Sequence, residues 1–157
     1  MMAERYENET VAEMINRRLD YAKEKLTGTL VGMLDMKLVA CSETEGTFDY
    51  LAKTEPWMIN FHGTLHGGMC AMLVDQAMGH TAFCLKDGPG IIPNIDMNVK
   101  FHRPMVAEDE VLLRVRLVSR SKSLMHLSCE AFRASAPEKL CVSATATYFH
   151  KPDGKHL

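Results

Sequence analysis

The chain contains 157 residues, 46% of them hydrophobic and 24% charged, with a formal net charge of −2. A chain of this length makes one domain with a core of its own, and its balanced charge offers no basic footprint for nucleic acid. No apolar run approaches the roughly 18–20 residues that span a bilayer. The start Met-Met-Ala-Glu-Arg has no signal-peptide core behind it. The expectation is a cytoplasmic protein with neither nucleic-acid nor membrane partners. Cys41, Cys70, Cys84, Cys129 and Cys141 are scattered and include no Cys-x-x-Cys pair. That pattern argues for reduced core thiols rather than a disulfide framework or a zinc ribbon.

Thr10-Val-Ala-Glu13 has the spacing of a capping box, and Val11, Met14, Ile15, Leu19, Ala22 and Leu26 follow at helical intervals. Gly28 stands where a helix-terminating glycine belongs. From Met33 to Lys53 the pattern is strand, a Glu43–Gly46 turn, and a second strand through Phe48, Tyr50 and Ala52. Gly68 to about Lys86 lacks proline and is rich in Ala, Met and Leu, which predicts a long helix, apolar on most sides and buried centrally. After Asp87-Gly-Pro-Gly90 the period becomes two. Segments Ile95–Phe101, Val111–Ser121, Leu124–Ala134 and Leu140–His150 alternate and predict about four strands in a meander. One antiparallel sheet around one hydrophobic helix, an α+β arrangement, accounts for this order.

The most informative stretch is Asn60-Phe-His-Gly-Thr-Leu-His66-Gly67-Gly68, leading into a helix whose only acid is Asp75. Glycines at a helix start offer backbone N–H donors at the positive end of the helix dipole, the equipment of an oxyanion hole. A carboxylate on an apolar helix needs a partner or a wet cleft, and Asp75 is too far along to be an N-cap. Gly67 and Asp75 are separated by about 12 Å of helix axis and about 80° of rotation. One straight helix does not bring its own two groups to one reacting atom. If both serve one substrate, Asp75 comes from a second copy across a two-fold axis. Two rivals use the same stretch: His62, His66 and Cys70 as metal ligands at helical spacing, and Cys70 as a thiolate nucleophile beside His66. The glycines speak against the first, and the lack of a spaced Asn or Asp to orient the histidine speaks against the second.

The combined pattern Asn60-x5-His66-Gly67-Gly68-x6-Asp75, followed by Ala77 and Gly79, resembles the hotdog-fold acyl-CoA thioesterases of the phenylacetic acid degradation type. Asn94-Ile-Asp-Met-Asn-Val, Phe101-His-Arg-Pro104 and Ser143–Tyr148 extend the likeness over roughly residues 35–150. The resemblance implies a hotdog fold, an antiparallel sheet wrapped around a long central helix, here in a single domain over 1–157. The added N-terminal helix falls within 1–30. It implies a homodimer or homotetramer with sites at the subunit interface. It also implies hydrolysis of an acyl-CoA to a carboxylic acid and free coenzyme A, with no metal and no cofactor.

Residue by residue, the resemblance implies that Gly67 supplies the oxyanion N–H and that His66 polarises or positions the thioester. The partner subunit's Asp75 acts as base or nucleophile, and Asn60 orients the water or the carbonyl. Gly68 and Asn94 fall among the substrate contacts, with Asn94 standing where relatives often carry Ser or Thr. Ser121 and Lys122 occupy a hairpin near coenzyme A, and Arg103 and Arg120 are further candidate cations. Tyr50, Trp57, Phe61 and the helix methionines are candidate pocket residues. A dehydratase acting on a hydroxyacyl thioester and a non-catalytic acyl-CoA-binding module are the alternatives. Retention of Asp75 favours chemistry over binding alone.

Overall fold

Thr10 opens the first helix as its spacing predicts. In the computed structural model, which describes residues 9–150, α1 runs Val11–Lys25 and both halves of the capping box are formed. The Thr10 N–H donates to the Glu13 carboxylate at 2.7 Å, and the Glu13 N–H donates back to Thr10 Oγ1 at 3.2 Å. Val11, Met14, Ile15 and Ala22 form the buried face. The chain passes Gly28 at φ +82° and makes a short helix, α2 (Leu30–Met33), capped by the Thr29 hydroxyl. Four residues are too few to carry a 3.6-residue repeat, so this turn has no signature in the sequence.

Strands β1 (Met36–Ser42) and β2 (Thr47–Lys53) form the predicted hairpin. Its turn closes on Gly46 at φ +64°, where a side chain would also meet Leu117 Cβ at 3.3 Å. A 3₁₀ turn at Pro56–Met58 precedes α3 (Gly67–Leu85). Then come β3 (Asn94–Phe101), β4 (Glu110–Arg120), β5 (Leu124–Arg133) and β6 (Ala136–Phe149).

The six strands form one antiparallel sheet in the order β1-β2-β4-β5-β6-β3. This corrects the expected four-strand meander. Strands β4, β5 and β6 are a meander, but β3 lies at the far edge beside β6, while β2 pairs with β4. The reason is the helix between them. Nineteen helical residues reach about 28 Å, enough to cross a sheet whose strands lie about 4.8 Å apart. Helix α3 thus carries the chain from one side of the sheet to the other.

The sheet curves around α3 as expected, with β2, β3, β4, β5 and β6 all in contact with the helix. Leu73, Val74, Ala77, Met78, Thr81 and Ala82 are each 1% exposed or less, and α3 packs against β4, β5 and β6. Tyr50 of β2, fully buried, shares a hydrogen bond of 2.7 Å with Thr81 and ties sheet to helix. Tyr50 is therefore core rather than pocket wall. The opposite side is half-buried: Gly68 is exposed, and Ala71, Met72, Asp75, Gly79 and Phe83 form a partly covered stripe along the helix, with Arg18 of α1 over the Phe83 ring at 3.6 Å. The helix is thus buried or half-buried over its length, as predicted, with Gly68 exposed at its start. At the sheet edge, Ile95 and Phe101 of β3 are more than half exposed. Replacing Thr10 with Ala removes the hydroxyl half of the capping box, and a loss of about 1 kcal/mol is expected in urea unfolding.

Candidate active site

At the start of α3, His66 is the N-cap, with extended backbone (φ −61°, ψ 137°). Its carbonyl accepts from Met69 and Cys70 N–H at 2.8 and 3.0 Å. Its Nδ1 accepts the Gly68 N–H at 3.0 Å. Two consequences follow. A neutral ring that accepts at Nδ1 carries its hydrogen on Nε2, and His66 is exposed, so this N–H is open to a ligand. Of the two glycine donors expected from the sequence, Gly68 is committed to the cap. Gly67 N–H has no hydrogen-bond partner among the described residues, and it stands at the positive end of a 19-residue helix. A cavity of about 320 Å³ opens beside it, lined by Leu65, Gly67, Cys70, Phe101, Arg103 and Met105 among others.

Asn60 hydrogen-bonds within its own loop. Its Oδ1 accepts from His62 N–H at 2.9 Å and Thr64 N–H at 3.3 Å, and its Nδ2 donates to Thr64 Oγ1 at 3.0 Å. The side chain pins the loop that delivers His66 and Gly67, an Asx-type turn continued by Gly63 at φ +76°. The rival uses of this stretch find no support. His62 lies exposed in that loop while Cys70 is buried, and among the described residues no three His, Cys, Asp or Glu are grouped to hold a metal. Burial pushes the Cys70 thiol up to about 11, opposite to the shift a thiolate nucleophile needs.

The second half of the site surrounds Asp75. Asn94 Nδ2 donates to Asp75 Oδ1 at 2.7 Å, and the Tyr148 hydroxyl donates to the same oxygen at 3.2 Å. Tyr148 also reaches the Asp75 carbonyl at 3.2 Å. Burial, then the adjacent Asp75 charge, pushes the Tyr148 hydroxyl well above its ordinary range, so it stays a donor. With Oδ1 held by two donors, Oδ2 has no hydrogen-bond partner among the described residues. A cavity of about 360 Å³ adjoins it, lined in part by Gln76, Gly79, Phe83, Ile91 and Ile92. Asn94, expected at the substrate, thus binds the carboxylate directly. Tyr148 is the contact of Asp75 that sequence reasoning missed. An aromatic hydroxyl at the end of a strand of small residues was its one signal.

Gly67 and Asp75 line separate cavities, as the helix geometry requires. Ser121 and Lys122 are exposed in the β4–β5 turn, closed by Ser121 N–H to the Leu124 carbonyl at 2.8 Å. This turn lies toward the Asp75 half: Met125 pairs with Tyr148, and Arg120 bridges to Asp87 at 2.5 Å beyond the end of α3. Arg103 lies at the Gly67 half and donates to the Leu140 carbonyl at 2.8 Å.

Comparison with known proteins identifies the family and the fold. The family model described as Thioesterase superfamily matches residues 62–140, which include Gly67, Asp75 and Asn94. "Acyl-coenzyme A thioesterase 13" of Mus musculus is 32% identical over 79 residues, 50% of this chain and 55% of that protein. The chain therefore spans about half the length of that relative. Among solved structures, a putative thioesterase from Ralstonia eutropha, titled a phenylacetic acid degradation-related protein, matches with a TM-score of 0.73. It is 21% identical, and the match covers 87% of this chain and 98% of that one. The PaaI protein of E. coli matches with a TM-score of 0.72 at 15% identity, over 90% and 96% of the two chains. Both likenesses establish the hotdog fold.

Behind Asp75, His80 is 7% exposed and its Nδ1 has no partner among the described residues. Burial, aided by the Arg18 charge, pushes it down from 6.5 to about 4. Between those values the unfolded chain binds a proton that the folded chain refuses, so the contribution of His80 to stability is complete above 6.5 and declines as pH falls toward 4. The urea midpoint should drop on acidification across this window, and His80→Leu should drop less. Equal slopes for the two proteins would exclude His80 as a source.

Proposed function

We propose that this chain, which belongs to the thioesterase superfamily, hydrolyses an acyl-CoA thioester to a carboxylic acid and free coenzyme A as a homodimer or a pair of dimers. One observation carries this reading. Helix α3 presents an N–H at Gly67 and a carboxylate oxygen at Asp75, neither of them partnered among the described residues, in separate cavities. Two copies of α3, antiparallel across a two-fold axis, bring Gly67 of one subunit to the partner subunit's Asp75, twice per dimer. The stripe Gly68, Ala71, Met72, Asp75 and Gly79 supplies a face for that contact.

In this arrangement the thioester oxygen takes the Gly67 N–H, and the His66 Nε2–H is available to position the substrate. Oδ2 of the partner subunit's Asp75 deprotonates a water that attacks the carbonyl carbon, or attacks it directly to give, after loss of the thiolate, a mixed anhydride that water then hydrolyses to the acid and free Asp75. The oxyanion that forms is held by the Gly67 N–H and the helix dipole. Its collapse breaks the C–S bond and releases coenzyme A as the thiolate. Asn94 and Tyr148 keep Oδ1 fixed so that Oδ2 faces the substrate. Lys122, exposed on its turn, is a cation for a coenzyme A phosphate.

Thiol release across short, long and aromatic acyl-CoAs tests the activity, and no turnover with any of them refutes it. Asp75→Asn should lower kcat by about 10² or more, while full turnover by this variant would remove Asp75 from the chemistry. Gly67 permits a cleaner test. It is the first residue of α3, where proline is accepted, and the preceding His66 already has the extended backbone that proline requires. Gly67→Pro should leave the circular dichroism spectrum intact and lower kcat by about 10²–10³ through loss of one N–H. Gly67→Ala, whose Cβ meets Phe101 at an ordinary 3.6 Å, keeps the N–H and should retain most activity. Sedimentation that finds an active monomer would refute the shared site.

A further inference from the structure

Phe61 is 94% exposed, more than any other large hydrophobic residue described, yet it sits on a held loop. Asn60 N–H donates to the Thr64 carbonyl at 2.9 Å and Gly63 N–H to the Asn60 carbonyl at 3.0 Å. The Asn60 side chain closes the same turn from within, and bridges Ile59–Leu65 and Thr64–Val106 anchor its two ends. The Phe61 ring rests only against the neighbouring His62, with centroids 4.2 Å apart. A large apolar side chain presented outward on a fixed loop is prepared for a contact at little ordering cost.

On the reading proposed above, the two α3 helices run antiparallel with Gly67 level with the partner subunit's Asp75. The chain that leads into Gly67 then continues past the partner's helix residues beyond Asp75, in the direction of Gly79 and Phe83. These residues wall the cavity beside Asp75. That cavity is incomplete in one chain: Ile91 on its rim is 52% exposed, Phe83 is only half-buried, and Gly79 contributes no side chain. On that arrangement the Phe61 ring of one subunit faces the cavity of the other on its apolar side at Ile91 and Ile92, opposite a polar wall of Arg18, Gln76, His80, Asn94 and Tyr148, with Arg18 stacked over the Phe83 ring at 3.6 Å.

We infer that Phe61 of each subunit closes the acyl cavity of its partner, so that it sets the length of acyl chain accepted and keeps bulk water from the partner subunit's Asp75. Each complete site then takes three elements in trans, namely Gly67, His66 and Phe61, against one Asp75. The acyl group lies along Gly79 and Ile91 beneath the aromatic ring.

The test is the chain-length profile of kcat/KM for saturated acyl-CoAs from acetyl to decanoyl. Phe61→Ala should lower the decanoyl-to-acetyl ratio by roughly tenfold, the worth of lost apolar pocket contact, with dimerisation followed by sedimentation. Phe61→Trp should shift the optimum to shorter chains. Two mixed dimers, purified through different tags, place the residue. A Phe61→Ala subunit paired with an Asp75→Asn subunit should show the wild-type profile, because the surviving Asp75 faces an intact Phe61. A doubly substituted subunit paired with wild type should show the Phe61→Ala profile. The opposite assignment, or unaltered profiles in dimeric Phe61→Ala and Phe61→Trp, overturns the inference while leaving the thioesterase reading intact. A wild-type protein that cleaves no acyl-CoA overturns both.

Discussion

A single sheet cannot enclose a helix. The six strands bury Leu73, Val74, Ala77 and Met78 and leave the opposite face of α3 only half-buried, with Asp75 in its middle. That constraint governs the rest of the molecule. A carboxylate here is desolvated on the side of the sheet and unopposed on the other. Asn94 from β3 and Tyr148 from β6 meet the first demand with two donors to Oδ1. The second demand is left to whatever covers the stripe. Strand β3 reaches Asp75 because it lies at the sheet edge beside β6, and it lies there because α3 is long enough to carry the chain across the sheet.

The helix start is organised around a similar economy. Every α-helix begins with N–H groups that have no carbonyl to meet. Here the N-cap side chain is an imidazole, and it takes the Gly68 N–H, which leaves Gly67 as the donor with nothing to bind. One cap thereby selects the donor, fixes the tautomer of His66 and directs the remaining ring hydrogen outward. The preceding loop is held by Asn60 from within and by the buried Met58 and Leu65 at its base, so the donor, the imidazole and Phe61 are delivered as one rigid piece. Fixed donors aimed at a developing charge need no reorganisation during reaction.

Much of the fold was legible where the physics is local. The capping box at Thr10 and Glu13, the proline-free run of α3 and the alternation in β4, β5 and β6 each express a repeat or a cap that a short window contains. The strand order was not legible, because the neighbour of β3 is β6, more than thirty residues away, and pairing across that distance leaves no mark in either segment. The roles of Asn60 and Asn94 were read from resemblance as substrate contacts. The folded chain adds what the likeness does not carry: Asn60 holds its loop and Asn94 donates to the Asp75 carboxylate. Tyr148 went unseen because a tyrosine ending a β-strand is ordinary until its hydroxyl is found against Asp75.

By itself the sequence determined the elements, the family likeness and one hard geometric fact. Eight helical residues keep Gly67 and Asp75 about 12 Å apart along any straight helix, so their chemistry, if shared, belongs to two chains. Backbone repeat distances are local and need no tertiary information. Only the tertiary structure decided which groups are free to act. It committed Gly68 and spared Gly67, fixed one oxygen of Asp75 and left the other open, and turned Phe61 outward. Those outcomes depend on which atoms reach each other across the fold, and hydrogen bonds between distant residues are settled by packing alone.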